Sequence, residues 1–418
     1  MADVQPLRAL HYDLGVVGGL DRVAAPPYDV IDPDQRARLA ARSPYNVVGI
    51  DLPEGDDPYA HAAELLERWR ADGAVVRDEE PAIWALTQEY TGPDGRRMTR
   101  RGLFARVRVE EYGAGRIRPH ERTHPGPRED RLRLTRATKA NLSPIFSLYS
   151  DPGGRAWGAL QPALDAPAWG ELTDDDGTTS RLWRVADPEA IATVQDALRD
   201  AELLIADGHH RYETARVYAD EVGGEGDHRY VLMCLVALED EGLTVFPTHR
   251  LLDNLDDPER QEALGTALKE LFDVERIEES HLRPPDGDGP LTMGYIDAHF
   301  RQPFRLTLKD QAIADRALDG MPDAYRHLDT AVLEALILKG PVGLTDDDIA
   351  HLNGLGYSRT DEEALELVKS GRYDAAFFLR STPVSQVREI AAAGVNMPPK
   401  STYFFPKVPT GLLFNPLL

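Results

Sequence analysis

The 418-residue chain is longer than one hydrophobic core usually serves, and its 42% apolar and 28% charged residues place it with ordinary globular proteins rather than disordered or fibrous ones. Lys and Arg number 47 against 71 Asp and Glu, a net charge of −24 that repels nucleic acids and anionic membranes over most of the surface. The single Cys234 excludes an internal disulfide and a thiolate metal cluster. Its run VLMCLVAL, 231–238, reads as buried core and is far shorter than the roughly 20 residues of a membrane span. MADVQPLRALHYDLG lacks the basic-then-apolar pattern of a secretory signal, so a cytoplasmic protein is expected.

In chain order, the apolar run NVVGI at 46–50 reads as a strand, and the amphipathic stretch from Tyr59 to Arg70 as a helix. AIWALTQEY and RRGLFARVRVEEY flank the turn cluster 91–95 and predict an antiparallel hairpin, so the sheet is expected to be mixed. ELLIAD at 202–207 predicts a buried strand, with a helix from Gly208 to about Asp220, followed by a buried strand in RYVLMCLVAL. Turn residues crowd at 223–227 and 283–290. HLDTAVLEALIL from His327 and the stretch Asp361 to Lys369 predict helices, and DAAFFL at 374–379 a strand. The acidic runs at Asp174 to Gly177 and Asp346 to Asp348 read as solvated turns rather than cation sites. Two parts are expected, an α/β part over 1–250 and an α/β C-terminal part over 251–418 whose tail is a candidate to close the site.

Between Arg96 and Lys139 stand fourteen Lys and Arg and five Asp and Glu, a net of +9, leaving −33 for the rest of the chain. The hairpin arginines read equally well as a solvated face. With His120, Glu121, His124 and Asn141 among them, the segment suits a pocket for a small, highly charged anion, because guanidinium and ammonium groups supply several directed donors per phosphate. In ELLIADGHHRYETA, a strand ends in Asp-Gly and a helix begins, so helix-start amides and the positive end of the macrodipole are offered to a phosphate while Gly208 permits close approach. His209, His210 and Arg211 add side-chain donors there. The paired histidines lack the HExxH spacing of a zinc site.

DGHHRYETA resembles the phosphate-binding box of the ParB and sulfiredoxin-like superfamily. APPYDVI (25–31), NVVGIDLP (46–53), PHERTHPGPREDRLRLTRATKANLSPIF (119–146), DGHHRYETA and MPPKSTYFFPKVPTGLLF (397–414) together resemble the bacterial and archaeal domain-of-unknown-function 1015 family over nearly the whole chain. The resemblance implies an α/β fold, a mixed sheet with a ParB/sulfiredoxin-like phosphate-binding core and a second α/β part. One branch of that family contains pyrophosphate-dependent L-serine kinases, so the resemblance also implies a phosphotransferase making O-phosphoserine. Two alternatives stay open: a phosphatase or pyrophosphatase acting on a small metabolite, and a non-catalytic nucleotide-binding switch.

Carried over on that basis, the phosphate-binding residues are Gly208, His209, His210, Arg211, His120, Arg122, Lys139 and Lys400. Tyr28, Asn46, Thr123, Asn141 and Ser401 are candidates for substrate contact, and Mg²⁺ is the expected companion of pyrophosphate. Phosphoryl transfer needs a carboxylate for the hydroxyl proton, for which Asp29, Glu121 and Asp207 are candidates, Glu121 kept ionised by surrounding cations and Asp207 also a possible helix cap. Arg211 is the candidate to stabilise charge on the transferring group. The prolines around Lys400 stiffen the tail, which reads alternatively as a strand packed by Phe404 and Phe405. The expected partners are a small anion, pyrophosphate or nucleotide, and a hydroxy amino acid, with no nucleic acid and no membrane.

Overall fold

The computed structural model describes the chain except residues 1, 93–94, 113–115, 122–124, 254, 256 and 288; the side chains of 125–127 are also left undescribed. Contacts divide the chain into one unit of Met1–Pro119, Thr123–Thr244 and Pro406–Leu418, and a second of His120–Arg122 and Val245–Phe405.

The first unit is built on nine strands: β1 (Val4–Gln5), β2 (Ile83–Thr91), β3 (Arg97–Arg108), β4 (Ile117–Arg118), β5 (Ile145–Tyr149), β6 (Gly170–Thr173), β7 (Thr179–Val185), β8 (Leu203–Asp207) and β9 (Tyr230–Ala237). Their order is β4-β8-β5-β9-β3-β2-β7-β6, with β1 beside β3. The predicted hairpin is β2 and β3, paired from Trp84 opposite Phe104 to Thr91 opposite Arg97. β9 runs parallel to β5 and antiparallel to β3, so the sheet is mixed. Alternation sends Leu103, Ala105, Ile145, Met233 and Leu235 to one face, where they pack with Val194 and Leu198. Arg100, Gly102 and Phe104 share the opposite face. Cys234, paired with Phe104 and Phe146 across the ladders, is fully buried, and burial pushes its thiol up to about 12.

Helices α1 (Val48–Asp51), α2 (Pro58–Ala71), α3 (Pro125–Thr138) and α4 (His209–Val222) belong to this unit. The strand expected at 46–50 is instead a turn at Asn46–Val47 and the first residues of the short helix α1. The Asn46 amide accepts the Val48 N–H at 3.2 Å and donates to the Arg22 carbonyl at 2.8 Å, so this backbone is satisfied locally rather than in a ladder. The tail returns to this unit because Asn415 pairs with Asn141, and Thr410 and Phe414 bridge to Ala25 and Leu10. At Asp174 the carboxylate accepts the amides of Asp176 and Thr178, closing a turn, while Asp346–His351 is a short helix with a capping box.

The second unit carries a wholly antiparallel sheet of β10 (His249–Leu252), β11 (Phe272–Arg276), β12 (Thr292–Asp297), β13 (Phe304–Leu308), β14 (Leu355–Ser358) and β15 (Ala375–Phe378), ordered β11-β13-β12-β15-β10-β14. Because His249 and Arg250 lie within β10, the division falls at Thr244/Val245 rather than at 250/251, and residues 406–418 leave the C-terminal part. The helix expected from His327 runs as α-helix over Asp329–Leu333 and continues as a π-turn over Glu334–Leu338. Among the described residues, no helix is long and apolar enough to cross a membrane.

Candidate functional site

β8 ends at Asp207 and α4 begins at His209, as the sequence predicts. Gly208 between them sits at φ 95°, the left-handed region, and as the N-cap residue has no side chain of its own to cap the helix. A Cβ here would lie 3.1 Å from Nε of Arg211, whose side chain folds back under the turn. Gly208→Ala is therefore expected to cost about 1–3 kcal/mol of stability, from left-handed strain and this contact. Denaturant unfolding checks it, and an unchanged midpoint would contradict this turn geometry.

Asp207 is not the helix cap. Its carboxylate accepts Arg211 Nη2 at 3.0 Å and Lys407 Nζ at 3.2 Å, and the three side chains are 17%, 10% and 16% exposed. Burial pushes the Asp207 carboxyl up, but Lys407 and Arg211 outweigh it and hold it well below the usual carboxylate range. For Arg211, burial works against the charge, while Asp207, Asp29, Tyr28 and Asp51 more than restore it. Arg211 Nη1 donates to Ser143 Oγ at 2.9 Å and to the Pro144 carbonyl. The guanidinium expected to face a phosphate thus has donors on three protein groups and braces the turn from below.

A second buried pair stands in the same unit. Arg131 Nη1 reaches the Asp51 carboxylate at 3.0 Å and its carbonyl at 2.8 Å, and Nε reaches Asp130 at 2.7 Å. Both Asp51 and Arg131 are buried, and Arg131 stacks on the Tyr28 ring at 4.3 Å. Burial pushes the Tyr28 hydroxyl up to about 12, with Arg211 and Arg131 opposing and Asp29 and Asp51 assisting. Asp29, next to Tyr28 on the 3-10 turn Tyr28–Val30, is exposed. Asp51, Arg131, Ser143, Arg211 and Thr214 line a small cavity of about 40 Å³.

Other expected residues are placed differently. All polar groups of the Asn46 side chain serve the main chain, and Asn141 Oδ1 accepts the Leu232 amide and the Asn415 side chain, so both act as staples. Lys139, at φ 51° where α3 ends, is exposed and does not line the cavity beside it. His120, Glu121, Lys400 and Ser401 lie in the second unit. There, His120 is buried with Nε2 3.0 Å from Thr402 Oγ1, and Glu121 accepts the Lys400 amide at 3.4 Å. Ser401 Oγ donates to the Pro398 carbonyl and meets Thr330 Oγ1 at 2.7 Å. Arg250 holds the carbonyls of Pro399 and Lys400, fixing Lys400 at φ 56° with its side chain exposed. Arg122 and Thr123 lie outside the described residues.

Among the described residues, the charge of 96–139 is not pooled in one pocket. Arg106, Arg108, Arg118 and Arg136 pair with Asp227, Glu225, Glu202 and Glu221, all from outside the segment. Arg96, Arg97 and Arg101 are exposed as a solvated face would be, but Arg100 is buried. Asp51, Arg131 and Ser143 are not among the candidates read from the sequence, although each lies inside NVVGIDLP or PHERTHPGPREDRLRLTRATKANLSPIF, and Lys407 is the second lysine of the proline-stiffened stretch from Met397.

A mixed-sheet α/β unit with a glycine-capped strand-to-helix turn, braced by buried carboxylate–cation pairs, defines the class. The chain belongs to the family described as Protein of unknown function (DUF1015), whose model matches residues 4–331. No curated protein matches the sequence. Similar solved structures include a free serine kinase mutant in complex with AMP, at 13% identity over 72% of this chain and 87% of that one, TM-score 0.38. A conserved hypothetical protein from Pyrococcus furiosus has 17% identity over 74% and 93%, TM-score 0.37. SbnI with a C-terminal truncation, from Staphylococcus aureus, has 10% identity over 75% and 81%, TM-score 0.35.

Proposed function

We propose that this protein is a small-molecule phosphotransferase that moves a phosphoryl group from magnesium pyrophosphate to the hydroxyl of L-serine, giving O-phosphoserine and orthophosphate. The observation that carries this reading is the turn Asp207–Gly208–His209, with Lys407 and Arg211 paired to Asp207 beside it and Asp29 exposed on the turn Tyr28–Val30. A glycine-started helix without a capping side chain favours an oxyanion at its amides. The choice of donor and acceptor rests on the resemblance of the five motifs to the family, one branch of which uses them.

In the step itself the serine oxygen forms a bond to the terminal phosphorus, the bridging P–O bond breaks, and orthophosphate leaves with the electron pair. Asp29 takes the hydroxyl proton, since Asp207 has its oxygens on two cations. Among the described residues no group of three or more ligating side chains gathers. Mg²⁺ would enter with the substrate, held largely by phosphate oxygens and by one or two carboxylates, and would supply charge neutralisation there.

The test screens pyrophosphate, ADP, ATP and CTP against hydroxy amino acids, following orthophosphate and phosphorylated product. Serine-dependent product from pyrophosphate is expected, and Asp29→Asn should lower that rate by about 10²-fold or more in a folded protein. If Glu121→Gln causes the loss instead, the base is Glu121. Orthophosphate released without any acceptor would make the protein a hydrolase, and tight nucleotide binding without turnover a switch.

A further inference from the structure

The second unit holds a cavity of about 290 Å³ that the proposed reaction does not use, close to the small end of the range of metabolite pockets. Its walls are the loop at 287–291, the helical turn Asp323–Arg326 with the residues after it, Gln311, and the segment from Arg380 into the helix Val384–Ala392. In that helix Val387, Ile390 and Ala391 are buried, which leaves Ser385, Gln386 and Glu389 on a neighbouring face within one turn of each other, where they line the cavity. Metabolite pockets are ordinarily apolar with a few polar groups, whereas most side chains lining this one are polar, so it suits a polar occupant.

The polar groups left over decide the chemistry. Most side-chain donors are spent on the protein itself. Arg380 gives Nε and Nη2 to the two oxygens of Asp329, at 2.8 and 2.6 Å, and Nη1 to the carbonyls of Gly287 and Gly289. Gln386 Nε2 donates to the Ala324 carbonyl at 2.8 Å, and Gln311 Nε2 to the Arg326 carbonyl at 3.1 Å. Thr382 Oγ1 donates to the Ser401 carbonyl. His327 Nδ1 donates to the Asp323 carbonyl at 3.0 Å, so the neutral ring presents Nε2 as an acceptor.

Acceptors remain. Among the described residues, Oε1 of Gln386 and of Gln311 receives no donor, and the exposed Glu389 carboxylate meets no cation. The charge has the same sense. Asp329 is matched by Arg380, and Asp323 shares Arg326 with Asp315, so Glu389 leaves the lining negative. Unspent acceptors of three kinds around a negative cavity match a primary ammonium group, which carries three donors and no acceptor.

We propose that this cavity is a binding site for a small organic amine in its ammonium form, the cation held by Glu389 and by the acceptors of Gln386 and His327. None of these residues belongs to the first unit, so the inference stands whatever reaction the turn at Asp207 serves.

The experiment is calorimetry and thermal unfolding of the full chain at physiological ionic strength, with putrescine and L-lysine as cationic probes, erythritol as a neutral one and orthophosphate as an anion. The amines are expected to bind and raise Tm, and Glu389→Gln to weaken that binding by about fivefold or more. Its ligand-free Tm is expected to equal that of the parent, because Glu389 is exposed. His327→Leu, which removes the acceptor nitrogen and keeps Glu389, should weaken the same binding. A chain of net charge −24 attracts any cation diffusely, so Glu362→Gln, at an exposed acid on the helix Asp361–Lys369 outside the cavity, is the control and should change nothing. Equal losses from Glu362→Gln and Glu389→Gln overturn the proposal. So does amine binding at the parent's affinity in both Glu389→Gln and His327→Leu, or no amine binding by the parent, whether or not erythritol or orthophosphate binds. No arm reads serine phosphorylation, so its absence leaves the proposal standing.

Discussion

Asp207→Asn is expected to destabilise the protein by about 3–5 kcal/mol at neutral pH, because it leaves two largely buried cations, Lys407 and Arg211, facing a neutral amide. The sign of the pH dependence follows from the depressed carboxyl. A group that titrates lower in the folded than in the unfolded chain, whose value is about 3.9 for aspartate, contributes fully above that value and loses its contribution as the pH falls through the folded one. The difference between parent and variant should therefore be constant near neutrality and shrink below about pH 4. Urea unfolding at a series of pH values measures this. A difference that grows on acidification would mean that Asp207 is not held ionised by its two cations.

Arg131→Met should cost a comparable amount, about 3–5 kcal/mol, since it strands the buried Asp51 carboxylate and removes the guanidinium stacked on Tyr28. Pairing it with Asp51→Asn removes the stranded charge, so the double variant is expected to be more stable than the sum of the single losses predicts. Strict additivity in the double-mutant cycle would show that the two groups act independently.

Much of this was legible in the sequence because it depends on local pattern. The hairpin at 91–95, the strand ending at Asp207, the helix that follows it and the burial of Cys234 all follow from alternation, turn residues and apolar runs over a few positions. The run 46–50 misled because two valines, a glycine and an isoleucine suit a strand or a buried helical turn alike, and Asn46 decided for the turn through contacts with Arg22 and Ala24, more than twenty positions away. Charge misled in the same way. The excess over 96–139 is real, but its arginines meet acids from Glu202 to Asp227, which no window of sequence brings together. Lys407 and Asp207 are separated by 200 positions, and only the return of the tail to the first sheet makes them partners. Arg211 was recognisable as part of the turn, whereas its orientation toward Ser143 and Pro144 was not, because both lie on a strand entrance far along the chain.

Phosphorus NMR of the protein with Mg²⁺, pyrophosphate and L-serine is the most direct test of the proposed phosphoryl transfer to an amino-acid hydroxyl. The pyrophosphate resonance is expected to be replaced by orthophosphate and O-phosphoserine in equal amounts, with neither appearing when serine is left out. Orthophosphate as the sole product, formed at the same rate with and without serine, would contradict it.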